Sequence, residues 1–268
     1  ILGSMVANEI DPSAISAIRF FVAFLILALV IKFRKLGKIF FLKKIWRYIV
    51  LGGLISIYFV LMFEGLKTAS PIAMSAIMTL TPFLAAILEY FIYKTRLELI
   101  VCLALLIGAS GSIWIIFDAD FNKLINLNIG RGETLFLIGC FAQALYTILI
   151  PALNEGESAL EQTSATMLVS AGLLLIIDFR VITSTNWTEL SLNVWITILY
   201  LSIFATAIAF FILQYSRNFL TGASVMAYYY IVPMWVLIID IIILGNSVKP
   251  QIWLGCFAVI CTFFIIFI

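Results

Sequence analysis

From Ser70 to Lys94 the chain reads SPIAMSAIMTLTPFLAAILEYFIYK, an apolar stretch with one carboxylate, Glu89, and an internal proline, Pro82. Its length suits the roughly 20 residues that a helix needs to cross the hydrocarbon core of a bilayer. Similar runs recur along the chain, Ile231–Leu244 among them. In hydrocarbon the backbone has no water to bond with, so only helices and closed barrels can span it. Barrel strands alternate in polarity over short segments, whereas these runs are continuous. The expected fold is all-α, a polytopic membrane protein.

Composition agrees. Of 268 residues, 64% are hydrophobic and 11% charged, with a mean hydropathy of +1.19, far too little charge to clothe a water-soluble surface. A net charge of +2 leaves no electrostatic footprint for nucleic acid. The chain has no histidine, which removes histidine metal ligands and general bases. Cys102, Cys140, Cys256 and Cys261 fall inside apolar runs without metal-type pairing and read as small buried hydrophobes.

Spans are expected at about 14–33, 47–67, 71–93, 98–117, 133–153, 161–179, 193–215, 221–244 and 250–268. The chain opens on Ile1-Leu2-Gly3-Ser4, and Met5 reads as the end of a helix, so a largely missing first span is expected before Asn8–Pro12. That makes ten helices, five per half. Lys32, Arg34, Lys35, Lys38, Lys43, Lys44 and Arg47 crowd one loop, and Lys94 with Arg96 marks another. The positive-inside rule assigns both to the cytoplasm, together with both termini. The loop Asn154–Glu161 falls on the same side, yet it holds three Glu and no basic residue.

A second run, TGASVMAYYYIVPMWVLIIDIIILGN from Thr221 to Asn246, repeats the design of the first. Pro82 and Pro233 stand 151 residues apart, as do Glu89 and Asp240, and the same offset sets Ser70 on Thr221 and Ala76 on Ala227. This suggests an internal duplication: residues 1–117 and 133–268 as repeats, joined by an outside connector over 118–132. Five helices per repeat would put the second copy in inverted topology, an arrangement suited to alternating access.

Candidate functional residues follow. Glu89 and Asp240, carboxylates within spans, are candidates for coupling or gating, or else reach the interface or pair with a basic loop residue. Pro82 and Pro233 should break the backbone ladder near mid-span and make a bend, for gating or for packing alone, with Thr79 and Thr81 placed to satisfy freed backbone groups. Arg19 could snorkel outward, pair with a carboxylate or attract an anionic substrate group. Tyr58, Met78, Gln143, Tyr146, Phe210, Tyr228, Tyr230 and Trp235 are substrate-cavity candidates, since aromatic and amide side chains can stack on a substrate and bond its polar end. Trp46, Trp187, Trp195 and Trp253 read as interfacial anchors. Glu64 and Lys67 are spaced for a local pair. Gly52-Gly53, Gly108–Ser112 and Gly255 allow close helix contact. No phosphate loop, nucleophile elbow or HExxH is present, so nothing points to an enzyme, and no cofactor or metal is implied.

The stretches DPSAISAIRFF, FEGLKTASPIAMSAIMTLTPFLAAIL and GASVMAYYYIVPMWVLIIDIIILGNSVKPQIWLG resemble the EamA-type transporters of the drug/metabolite transporter superfamily. The resemblance implies ten helices as two inverted five-helix repeats around a central cavity. Two departures stand out: Thr95 and Asn246 occupy the places of family glutamates, and Ala104 that of a family glycine which Gly255 retains. Family members export amino acids and other small metabolites, and some take up or exchange them. The expected protein is thus a secondary transporter of amino acids or related metabolites, efflux favoured, in a cytoplasmic membrane. Its partners would be a small-molecule substrate, the lipid bilayer and a proton or other coupling ion, with no nucleic acid, as a monomer or homodimer. The alternatives are an uptake or exchange carrier for a nucleotide-derived or quaternary-amine compound, and a non-transporting membrane scaffold.

Overall fold

The apolar runs are helical. A computed structural model of the chain describes residues 6–34, 44–94, 99–117, 119–122, 129–245 and 249–267, without the side chains of residues 240, 243, 244, 266 and 267. Expectations that rest on Ile1–Met5, Lys35, Lys38, Lys43, Thr95, Arg96, Asp118 and Asn246, and on the Asp240 side chain, lie outside these. The helices are α1 (Pro12–Arg34), α2 (Trp46–Leu66), α3 (Pro71–Met78), α4 (Thr81–Tyr93), α5 (Leu99–Ile116), α6 (Arg131–Ala152) and α7 (Ala159–Ile177). They continue as α8 (Phe179–Ser184), α9 (Leu192–Ser202), α10 (Ala209–Arg217), α11 (Gly222–Ala227), α12 (Val232–Leu244) and α13 (Ile252–Phe267). Among the described residues, 8 helical stretches are long and apolar enough to cross a membrane, and Ile252–Ile265 is a shorter apolar helix.

The chain forms two compact units, each drawn from both halves of the sequence. One holds Glu64–Ile148 with Leu220–Ile268, the other Leu2–Phe63 with Leu149–Phe219.

In the first unit, the two proline-containing runs have one construction. Ser70 Oγ accepts from the Ala73 N–H at 3.1 Å to start α3, and Thr221 Oγ1 accepts from the Ser224 N–H at 3.2 Å to start α11. Each run then breaks. After Met78 the amides of Thr79 and Leu80 reach back three residues, to Ala76 and Ile77, while Tyr228–Ile231 forms a 3-10 turn. Pro82 and Pro233 sit in the first turn of the following helices, α4 and α12, where a missing N–H costs nothing. The expected mid-helix bend is therefore a division into two helices. The Thr79 hydroxyl donates to the Ala76 carbonyl at 2.6 Å and also meets Ser112 Oγ, so it works within the break. After α4, Lys94 is left-handed at φ 54°, and after α12, Gly245 at φ 67°.

Packing repeats at the same offset. One buried cluster contains Ala86, Leu105 and Ala227, and a second contains Leu237, Cys256 and Ala76, which are their 151-residue counterparts. Cys256 is thus a core side chain and Cys140 is buried as expected, whereas Cys102 and Cys261 are only half-buried. Helices α5 and α13 touch reciprocally. The Thr262 hydroxyl donates to the Ala104 carbonyl at 2.9 Å. At the counterpart pair, a Cβ on Gly111 would lie 2.7 Å from the Gly255 carbonyl and 2.9 Å from Ala258 Cβ. Gly111→Val is expected to cost about 3 kcal/mol by overpacking against backbone that cannot swing away. Gly53→Ala, with nothing within 4 Å of the added carbon, serves as the control in thermal unfolding. Equal melting of the two variants would refute the close crossing.

In the second unit, α1 packs on α7, and α2 meets α7 where the Ser170 hydroxyl donates to the Gly52 carbonyl at 3.3 Å. Small residues make this approach possible. The acidic loop after α6 is explained here. Lys44 Nζ donates to Glu155 Oε1 and Arg47 Nη2 to Glu157 Oε1, both at 2.6 Å. The Arg47–Glu157 pair is almost fully buried, with side-chain exposures of 2% and 1%. Tyr48 OH also donates to Glu157, and Arg47 Nη1 to the Leu153 carbonyl. Glu161 forms a capping box with Ser158 at the start of α7. Each Glu of the loop has a defined partner, and two of those partners come from the basic segment.

Candidate functional site

Arg19 does not snorkel. It is 1% exposed on α1, and among the described residues no ion pair includes it. Its guanidinium carbon lies 4.3 Å from the centre of the Phe59 ring and 5.4 Å from that of Phe63, both on α2. The negative faces of these rings compensate part of the lost hydration. Nη2 donates to Thr206 Oγ1 at 2.9 Å. Thr206 belongs to a π-helical turn, Ile203–Ile208, between α9 and α10, and its hydroxyl donates to the Leu201 carbonyl five residues back. One extra residue per turn pushes a side chain out of register, and such turns gather at functional sites. Tyr58 and Phe210 close the group: Phe59 meets Tyr58 edge-on at 4.9 Å and Phe210 at 5.7 Å.

This cluster unites three residues put forward from the sequence, Arg19, Tyr58 and Phe210, and adds three that were missed. Phe59 and Phe63 are single aromatics among the 23 phenylalanines of the chain, and Thr206 gives no outward sign of a π turn. Only the contact with Arg19 marks them.

The remaining candidates belong to the first unit. Gln143 is fully buried on α6, and its Nε2 donates to Tyr229 OH at 3.2 Å. Tyr146 and Tyr230 are buried, and Met78 is half-buried. Tyr228 and Trp235 are more than half exposed, and Tyr228 meets Phe263 edge-on. Pro82 and Pro233 are buried at the breaks. Glu89 is held inside the first unit. It is 5% exposed, and its carboxylate accepts both from the Gly222 N–H, at 3.0 Å to each oxygen, and from the Ala223 N–H at 3.3 Å. It thus caps the start of α11, where an anion complements the free amides. Glu64 and Lys67 do pair, at 2.6 Å. Among the described residues no cluster of His, Cys, Asp or Glu could hold a metal ion.

These features define a polytopic α-helical membrane protein with an occluded cation and a paired set of broken helices. The model of the EamA-like transporter family matches residues 1–117 and 130–268, and the chain belongs to that family. It is 25% identical over 226 residues to the uncharacterized transporter sll0355 of Synechocystis sp., covering 78% of this chain and 68% of that protein. It is 24% identical over 207 residues to the uncharacterized transporter YdfC of Bacillus subtilis, covering 76% and 65%. The chain thus spans about two thirds of the length of these curated relatives. A solved crystal structure has the same fold at a TM-score of 0.76 and 15% identity, covering 99% of this chain and 90% of that one.

Proposed function

We propose that this protein is a secondary transporter that moves small organic metabolites, amino acids and related compounds first, outward across the cytoplasmic membrane by alternating access. The observation that carries this reading is the pair of broken helices: like N-caps, a break in each run and equal proline positions at one 151-residue offset. The reciprocal contacts of α5 with α13 support two repeats of inverted topology, because Ala104 meets Thr262 while Gly111 meets Gly255, so that the two equivalent helices run antiparallel. Tyr228 and Trp235, exposed on the second broken helix, are the residues proposed to meet substrate there. Glu89 and Asp240 are proposed for coupling or gating, Glu89 through its hold on the amides that start α11. Both termini, on this reading, are cytoplasmic.

The test is counterflow in proteoliposomes: vesicles loaded with unlabelled amino acids should accumulate the labelled compound, saturably, only when they contain the protein. Accumulation confined to quaternary amines or nucleotides would select the uptake or exchange reading. Full-length protein without flux for any of these classes would favour the scaffold.

A further inference from the structure

We propose that Arg19 receives the anionic oxygens of the transported metabolite, so that the substrate class is organic oxyanions, carboxylates or phosphate esters. This deepens the transport reading above and rests on it. A guanidinium has five N–H donors and is always charged, so it is buried only where its donors and its charge are met. Here one nitrogen is met by the Thr206 hydroxyl, which carries no charge. Nε and Nη1, with three of the five donors, have no hydrogen-bond partner among the described residues. Phe59 and Phe63 cover the cation but accept no conventional hydrogen bond from it.

The neighbouring surface is unsatisfied in the same sense. Ser16 lies one turn before Arg19 on α1, and Ser56 one turn before Phe59 on α2. Both hydroxyls are buried and without a partner among the described residues. Donors without acceptors, beside a cation without an anion, are complementary to a group that offers negative charge and several acceptor lone pairs. Carboxylate and phosphate do so, and a guanidinium bonds both through charge-assisted contacts. A metabolite that is only cationic or only apolar would leave the three donors unmet. Thr206, held in the π turn by its bond to Leu201, fixes the orientation of the guanidinium. Arg19 is enclosed in this conformation, so the oxyanion enters in the opened state that alternating access provides.

The experiment is a thermal-shift titration of the purified full-length protein in detergent. The probes are lactate, succinate, phenylacetate and glycerol 3-phosphate, each beside its neutral amide or alcohol. A ligand bound only by the folded protein raises the melting temperature. At least one oxyanion should raise it while its neutral counterpart does not, and the carboxylate and phosphate arms identify which group is read. Arg19→Gln should weaken that response about 10- to 100-fold in apparent Kd, the usual scale for a lost charged hydrogen bond. If Arg19→Gln does not fold, Arg19→Lys keeps the charge, loses the planar donors and should still weaken binding about tenfold. An oxyanion response of unchanged affinity in the folded variant, or a flat panel with the wild type, overturns the proposal. Saturable flux of a neutral or cationic metabolite would sink it and leave transport standing. Arg19-dependent oxyanion binding without flux would keep the site and remove transport.

Discussion

Glu157→Ala should lower the unfolding free energy by about 3 kcal/mol, the low end of what is lost when one partner of a buried ion pair is removed. The Arg47 guanidinium would keep its position at the head of α2, with its main anionic partner gone from a nearly closed site. Glu157→Gln, which retains an acceptor for Arg47 and Tyr48, should lose less. Burial alone would raise the Glu157 carboxyl above its ordinary 4.5, but hydrogen bonds from Arg47, the Glu155 N–H and Tyr48 outweigh it and lower the value to about 2. The folded value lies below the unfolded one. The pair's contribution is therefore complete above about pH 4.5 and is lost as pH falls towards about 2. Melting temperatures in detergent across that window should fall more steeply for the wild type than for Glu157→Gln. Parallel curves would show that Glu157 has no depressed titration in the folded protein.

Glu89→Ala is expected to have a comparable effect for a different reason. It strips the acceptor from two buried backbone amides, Gly222 and Ala223, each of which then bears a desolvation cost of about 1–3 kcal/mol. A net loss of about 3 kcal/mol is expected, partly restored in Glu89→Gln, which keeps one acceptor oxygen. Hydrogen exchange locates the change: the amides of Gly222–Ala227 should lose protection before those of α4. Uniform loss across both helices would show that Glu89 supports the whole unit rather than the start of α11.

The spans were legible because hydrophobicity over 20 residues is a local property, and the expected limits of 71–93 agree with Pro71–Tyr93 as observed. The likeness of the two proline-containing runs was legible too, since two prolines at a fixed offset need no knowledge of contacts. That the prolines break the ladder was legible, whereas the three-residue amide bonds at Thr79 and Leu80 that shape the break are announced by no residue type. The partners of the charged residues were hidden for another reason. Glu89 finds its amides 133 residues away, and Arg47 finds Glu157 after 110. A carboxylate in an apolar run signals that something must compensate it, and here the amides of Gly222 and Ala223 take part, groups that have no letter in the sequence. Arg19 was legible as an anomaly, and the π turn that orients it was not.

The pairing of Lys44 and Arg47 with Glu155 and Glu157 also has a consequence in time. The basic segment leaves the ribosome about 110 residues before its acids do. While the first helices are being inserted, its positive charge stands uncompensated and can hold that loop on the side of synthesis. Only when the loop after α6 arrives is the charge neutralised. On the orientation proposed above, one set of residues serves first as an address read by the insertion machinery and afterwards as a clasp between a helix and a loop.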